Sequence, residues 1–176
     1  AKASHLAGGT AVHINAGAAG LSLCRVPGRR RGWPREAMRP HNLPLVMLGA
    51  GLLWFGWFGF NAGSAVASNG VAGITFINTT VATCAAMLSW LLVERIRDGR
   101  PTSLGAASGV VTGLVAITPS CSSVSPMGAI AVGAIASAVC ARAAAIKVRF
   151  DFDDAPDGRA VAPSGGIAGT VPVGLF

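Results

Sequence analysis

The sequence predicts an all-α, polytopic membrane protein of about six transmembrane helices. Three observations carry that reading. The 176 residues are 52% hydrophobic and only 12% charged, about half the charged fraction of an average soluble domain. Thirteen of the fourteen Lys and Arg, and all seven acids, fall in three short stretches, residues 25–39, 94–100 and 141–159. Long apolar runs lie between them, and no charged residue occurs from Asn42 to Val93. A net charge of +7 could serve a nucleic-acid surface, but charge confined to short connections is a topology signal, so no nucleic-acid partner is expected.

The spans follow in order as residues 6–24, 43–63, 70–93, 103–117, 127–146 and 164–176. At about 1.5 Å rise per residue, the second and third are each long enough for a hydrocarbon layer of about 30 Å. The fourth is short. In the fifth, Arg142 stands near the end, where it can snorkel to the interface. The sixth runs to Phe176.

Connections alternate in charge. Those after spans one, three and five are charged, whereas "NAGSAVASNG" and "TPSCSSVSP" carry none. Positive charge stays on the cytoplasmic side, so the first span runs from outside to inside and the uncharged connections face outward. The six Arg against one Glu in residues 25–39 anchor this orientation. The start "AKASHLAGGTAVHIN" has no charged n-region or plain apolar h-region and no initiator Met. An internal piece of a longer protein is therefore expected.

Within the second span, "LLWFGWFGFNAGSA" crowds five aromatic residues into seven positions among glycines. At about 100° per residue, Trp54, Trp57, Phe60, Asn61 and Ser64 share one side. Gly49, Gly56, Gly59 and Gly63 lie on another, which suits close helix contact. Gly105, Gly109 and Gly113 repeat that small-residue pattern in the fourth span, and Gly165 and Gly169 in the sixth. An aromatic belt explains one or two Trp residues, but this row of rings is longer. Rings beside a hydroxyl at an outer mouth could also attract a small cation through cation–π contact and a hydrogen bond.

His13 lies mid-span, where an ionisable residue either faces a cavity or partner, or sits neutral and hydrogen-bonded to a neighbouring helix. His5 and His41 lie near span ends. Cys24, Cys84, Cys121 and Cys140 are widely spaced in apolar surroundings and read as small packing residues. No metal cluster, phosphate loop or nucleophile–base pair is found, so neither an enzyme nor a cofactor is expected. Asn78-Thr79-Thr80 matches a glycosylation pattern but falls inside a span. "DFDDAPD" lacks the spaced ligands and glycine of a calcium loop. Arg29–Arg31 could meet anionic lipid heads, though topology alone explains them.

The runs "AGGTAVHINAGAAGL", "RRGWPREAMRPHNLPLVMLGAGLLWFGWFGFNAGSA" and "SGVVTGLVAITP" resemble the ammonium transporter (Amt/Mep/Rh) family, and the likeness runs through nearly the whole chain. The resemblance implies one partial ammonium transporter domain over residues 1–176. It would cover about the fifth to tenth spans of a protomer of about eleven spans, built from two inverted halves and assembled as a homotrimer in the cytoplasmic membrane. The family's outward N-terminus implies the same orientation as the charges. The implied activity is ammonium or ammonia transport, and the runner-up is a non-transporting remnant or ammonium sensor of the same family.

Carried over by resemblance, Ser64 matches the outer recruitment serine and Phe60 a ring of the phenylalanine gate. Trp57 matches a pore-side tryptophan and His13 the first pore histidine, while Asn61, Thr118 and Asp157 stand near the pore as structural residues. A bare ammonium ion in hydrocarbon is costly, which recruitment by rings and hydroxyl followed by deprotonation avoids.

Departures accompany the match. The second pore histidine is expected in the run that here reads "DGRAVAPSGG", where Ala162 stands in its place, and Arg159 and Pro163 are foreign to that helix start. His5 takes the place of an acid two positions before "AGGT", and Leu6 that of an aromatic. "TPSCSS" lacks the glycine-containing run that usually follows such a Thr-Pro pair. The expectation is that the chain alone inserts but conducts poorly or not at all.

Overall fold

In a computed structural model of the chain, the structure describes residues 6–25 and 40–147. Among these residues the helices are α1 (Gly9–Arg25), α2 (Leu43–Asn61), α3 (Gly70–Asp98), α4 (Ser103–Ile117) and α5 (Pro126–Lys147), with a 3-10 turn at Gly63–Ala65 after α2. No strand occurs among the described residues. The expected span at 164–176 lies outside them, as do His5, Asp157, Ala162, Arg29–Arg31 and the Gly165/Gly169 pair.

Among the described residues, three segments are long and apolar enough to cross a membrane: Leu43–Ala65, Gly70–Asp98 and Pro126–Ala144. At 15 residues α4 is shorter, as the sequence indicates. The chain is thus a polytopic helical membrane protein. Two boundaries differ from expectation by three residues or more. Helix α1 begins at Gly9 rather than residue 6, because Gly8 takes a left-handed φ of +65° that breaks helical geometry. Helix α3 continues past Val93 to Asp98, carrying Glu94 into a buried position.

Local chemistry sets most helix ends. Asn42 and Asn69 cap α2 and α3, each side chain accepting the N–H three residues on, from Leu45 and Ala72 at 3.1 Å. Gly99 at φ +80° closes α3. Thr102 caps α4 by accepting from Gly105 N–H at 2.9 Å. Glu94 supports that start from α3: its carboxylate accepts from Thr102 N–H at 2.8 Å, from the Thr102 hydroxyl at 3.1 Å, and from Trp90 Nε1 at 3.3 Å. The sequence reading treats Glu94 as connection charge. Three donors, two from Thr102 and one from Trp90, are what let it stay buried.

Helix α3 is the centre, packed on both α4 and α5. Against α4 the approach is backbone to backbone. A Cβ on Gly109 would stand 2.7 Å from Met87 Cα, and one on Gly113 2.7 Å from Thr83 Cα. Against α5, Gly133 abuts the Ala82 carbonyl. The Ser137 hydroxyl donates to Ala86 O at 2.6 Å and that of Ser89 to Ala134 O at 2.8 Å. The core is correspondingly fine-grained, joining Ala82, Ala116, Ile117, Cys121, Ala129 and Ala136. Small residues bring helices close where burial from lipid offers no hydrophobic gain.

The glycines of α2 behave differently. The expectation of close helix contact at Gly49, Gly56, Gly59 and Gly63 is corrected for the described residues, since no atom lies within 4 Å of a Cβ built at any of them. Helix α2 instead meets α4 and, more sparingly, α3, and leaves Leu48, Leu52 and Phe55 exposed. Its packed side is the aromatic one.

Candidate functional site

Helix α1 buries one narrow stripe, Gly9, His13 and Gly17, at four-residue spacing. Gly9 seats the helix on the residues that follow α4, because a Cβ there would stand 2.7 Å from Thr118 Cγ2 and 2.9 Å from Pro119 N. One turn on, the His13 ring stacks on Trp57 of α2, with centroids 5.3 Å apart and planes at 22°. Phe60 closes the group, edge-on to Trp57 at 5.4 Å and tilted to His13 at 6.0 Å. His13 is buried, and its Nε2 has no hydrogen-bond partner among the described residues. Among the described residues, the neighbour His13 finds is a ring face rather than a hydrogen-bonding helix.

Trp57 is held from the other side. Its Nε1 donates to Thr118 Oγ1 at 3.0 Å, while the Thr118 hydroxyl donates to Leu114 O at 2.6 Å. Thr118 opens the segment 118–125, expected to be an uncharged connection. The structure buries much of it: Thr118, Pro119, Ser120, Cys121 and Val124 are inside. It folds as consecutive turns, with Ser120 N–H donating to Ile117 O at 3.0 Å and Ser123 N–H to Ser120 O at 2.9 Å. Burial pushes the Cys121 thiol up to about 11, in keeping with a packing role.

The other residues named from sequence divide along α2. Asn61 turns to α3, fully buried, and its Nδ2 donates to Thr79 Oγ1 at 3.1 Å. Thr79 in turn donates to Thr75 O at 2.7 Å. The Ser64 hydroxyl caps the helix end, donating to Phe60 O at 2.6 Å. Trp54 is half-buried one turn below Trp57. The single side drawn at helical spacing thus resolves into a ring cluster at His13, Trp57 and Phe60 and a polar contact at Asn61.

Asn78, which the sequence offers as a glycosylation match inside a span, lies within α3. It is fully buried in α3, and its Nδ2 donates to the carbonyls of Cys121 and Val124 at 2.9 and 2.8 Å. The available signal was its place in an uncharged apolar span, where a carboxamide must find an internal partner.

The fold and site define a multi-span helical membrane protein in which one buried histidine is set against two aromatic rings. The sequence profile of the Ammonium Transporter Family matches residues 1–176, and the chain belongs to that family. It is 65% identical over 170 residues to an ammonium transporter of Mycobacterium tuberculosis (strain ATCC 25618 / H37Rv), covering 97% of this chain and 36% of that protein. Its fold matches the crystal structure of Candida albicans Mep2 with a TM-score of 0.91 and 32% identity, over 99% of this chain and 39% of that one. A structure named Sensor Amt Protein matches at a TM-score of 0.86 and 32% identity, over 98% of this chain and 44% of that one. The chain thus spans well under half the length of these relatives.

Proposed function

We propose that this chain forms part of the conducting path of an ammonium transporter in the cytoplasmic membrane, with Ser64 at the outer mouth and Phe60, Trp57 and His13 leading inward. The observation that carries the reading is the His13–Trp57–Phe60 cluster. Ring faces attract a cation that approaches from water, and the apolar surround below disfavours it unless a proton is lost. The buried His13 Nε2 lies beside those rings, has no hydrogen-bond partner among the described residues, and is suited to a neutral or protonated amine. Transport, not catalysis, is the activity proposed, with ammonium or ammonia as the only small-molecule partner and the protein working as a homotrimer.

The test is radiolabelled methylammonium uptake in transporter-deficient cells expressing the protein from its complete gene, once membrane insertion is verified. Saturable uptake competed by ammonium supports transport, and its absence overturns it. A second reading is favoured by the likeness to Sensor Amt Protein: the same path binds ammonium and reports it without net flux. Ammonium-dependent quenching of Trp fluorescence in a protein that moves no methylammonium would select that reading.

A further inference from the structure

We propose that Asn78 is a positioning residue for the conducting face, acting through the 118–125 segment on Trp57 and His13; the proposal rests on the transport reading above. Asn78 sits on α3 and has no contact with the ring cluster among its recorded hydrogen bonds, yet both of its amide N–H groups are committed to one place. They hold the carbonyls of Cys121 and Val124, at 2.9 and 2.8 Å. Those carbonyls bracket the turns that follow Thr118.

Two members of the cluster rest on that segment. Trp57 is held by its hydrogen bond to Thr118. The helix carrying His13 is seated by Gly9 against Thr118 and Pro119. A displacement of the segment would therefore move the indole and the imidazole together. Only a planar carboxamide supplies two donors at this spacing. A carboxylate of the same shape offers none and faces two carbonyl oxygens. The hydrogen bonds of Asn78 do not go to Ser64, so its effect should fall on passage and spare capture.

The experiment measures methylammonium uptake by the protein expressed from its complete gene, at matched membrane abundance, for Asn78→Asp, Thr118→Val and the two combined. Asn78→Asp is expected to lower the maximal rate at least about tenfold with KM within about twofold. The combined variant should be no worse than the weaker single variant by more than about twofold, because both changes break one chain of contacts. A maximal rate within about twofold of the unaltered protein, a raised KM with the rate held, or fully multiplicative losses would overturn the proposal. Where Asn78→Asp does not accumulate, Asn78→Ser keeps one donor and takes its place. Failure of both to reach the membrane would make Asn78 a folding residue and overturn the proposal as well.

If the unaltered protein moves no methylammonium, the transport reading fails, and positioning is read separately from the indole N–H resonances of solubilised protein. Asn78→Asp should shift the Trp57 signal, assigned with Trp57→Phe, and leave that of Trp90, whose N–H is held by Glu94. An unmoved Trp57 signal overturns the positioning role.

Discussion

Trp57 and Thr118, 61 positions apart, are joined by an indole N–H to hydroxyl hydrogen bond of 3.0 Å. The hydroxyl is already oriented, since its own hydrogen points to Leu114 O, and a lone pair is left for the indole. The ring that stacks on His13 is thereby fixed in rotation as well as in place. Packing alone would leave the indole free to pivot.

Thr118→Val keeps the shape of the side chain and removes the acceptor. A buried donor left without a partner costs about 1–3 kcal/mol. Expected is a loss of methylammonium uptake of about fivefold to a hundredfold, with membrane abundance unchanged on immunoblot. Undiminished uptake would show that Trp57 does not need this anchor.

His13→Phe preserves a ring against Trp57 and removes both nitrogens. If His13 only packs, the variant transports normally. The expected outcome is that uptake falls by more than about tenfold while thermal stability, followed by fluorescence-detected size exclusion, stays within a few degrees.

Between α3 and α4 there is no room for a methyl group. Gly113→Ala would place one 2.7 Å from Thr83 Cα, a backbone atom that cannot swing aside. Overpacking of this kind costs about 1–3 kcal/mol, or about 2–12 °C in apparent Tm for a domain of this size. Retention of the original Tm would mean that the two helices can separate freely.

Glu94→Ala removes the carboxylate that holds Thr102 N–H and hydroxyl. The start of α4 then loses one layer of its cap, a change worth about 1 kcal/mol or more. Hydrogen–deuterium exchange should accelerate at residues 102–106 and stay unchanged along α2. Uniform exchange in both proteins would dismiss the capping role.

Much of the fold was legible because hydrophobic runs and charge clusters are local properties. The bounds of α4 and the small-residue approach at Gly109 and Gly113 follow directly from spacing. Glu94 and Asn78 were not legible in the same way. Each is a polar residue whose burial depends on a partner 8 to 46 positions away, and nothing in its neighbours along the chain names that partner. The burial of the connection 118–125 was not legible for a related reason. Serine, proline and threonine are turn formers in water and in a protein interior alike, and only the donors supplied by Asn78 decide between them. On α2, spacing marked out the glycine side correctly but could not say whether any helix would cover it.

The short link between α2 and α3 has the opposite character to the buried turns after α4. Val66 is 91% exposed and held at a left-handed φ of 49°, and residues 67–69 beside it are exposed too. Topology mapping should therefore begin there. A single-cysteine label or short epitope placed at 66–68, before the capping Asn69, would report sidedness without disturbing the bundle. The same insertion at 120–122 would dismantle the support it was meant to illuminate.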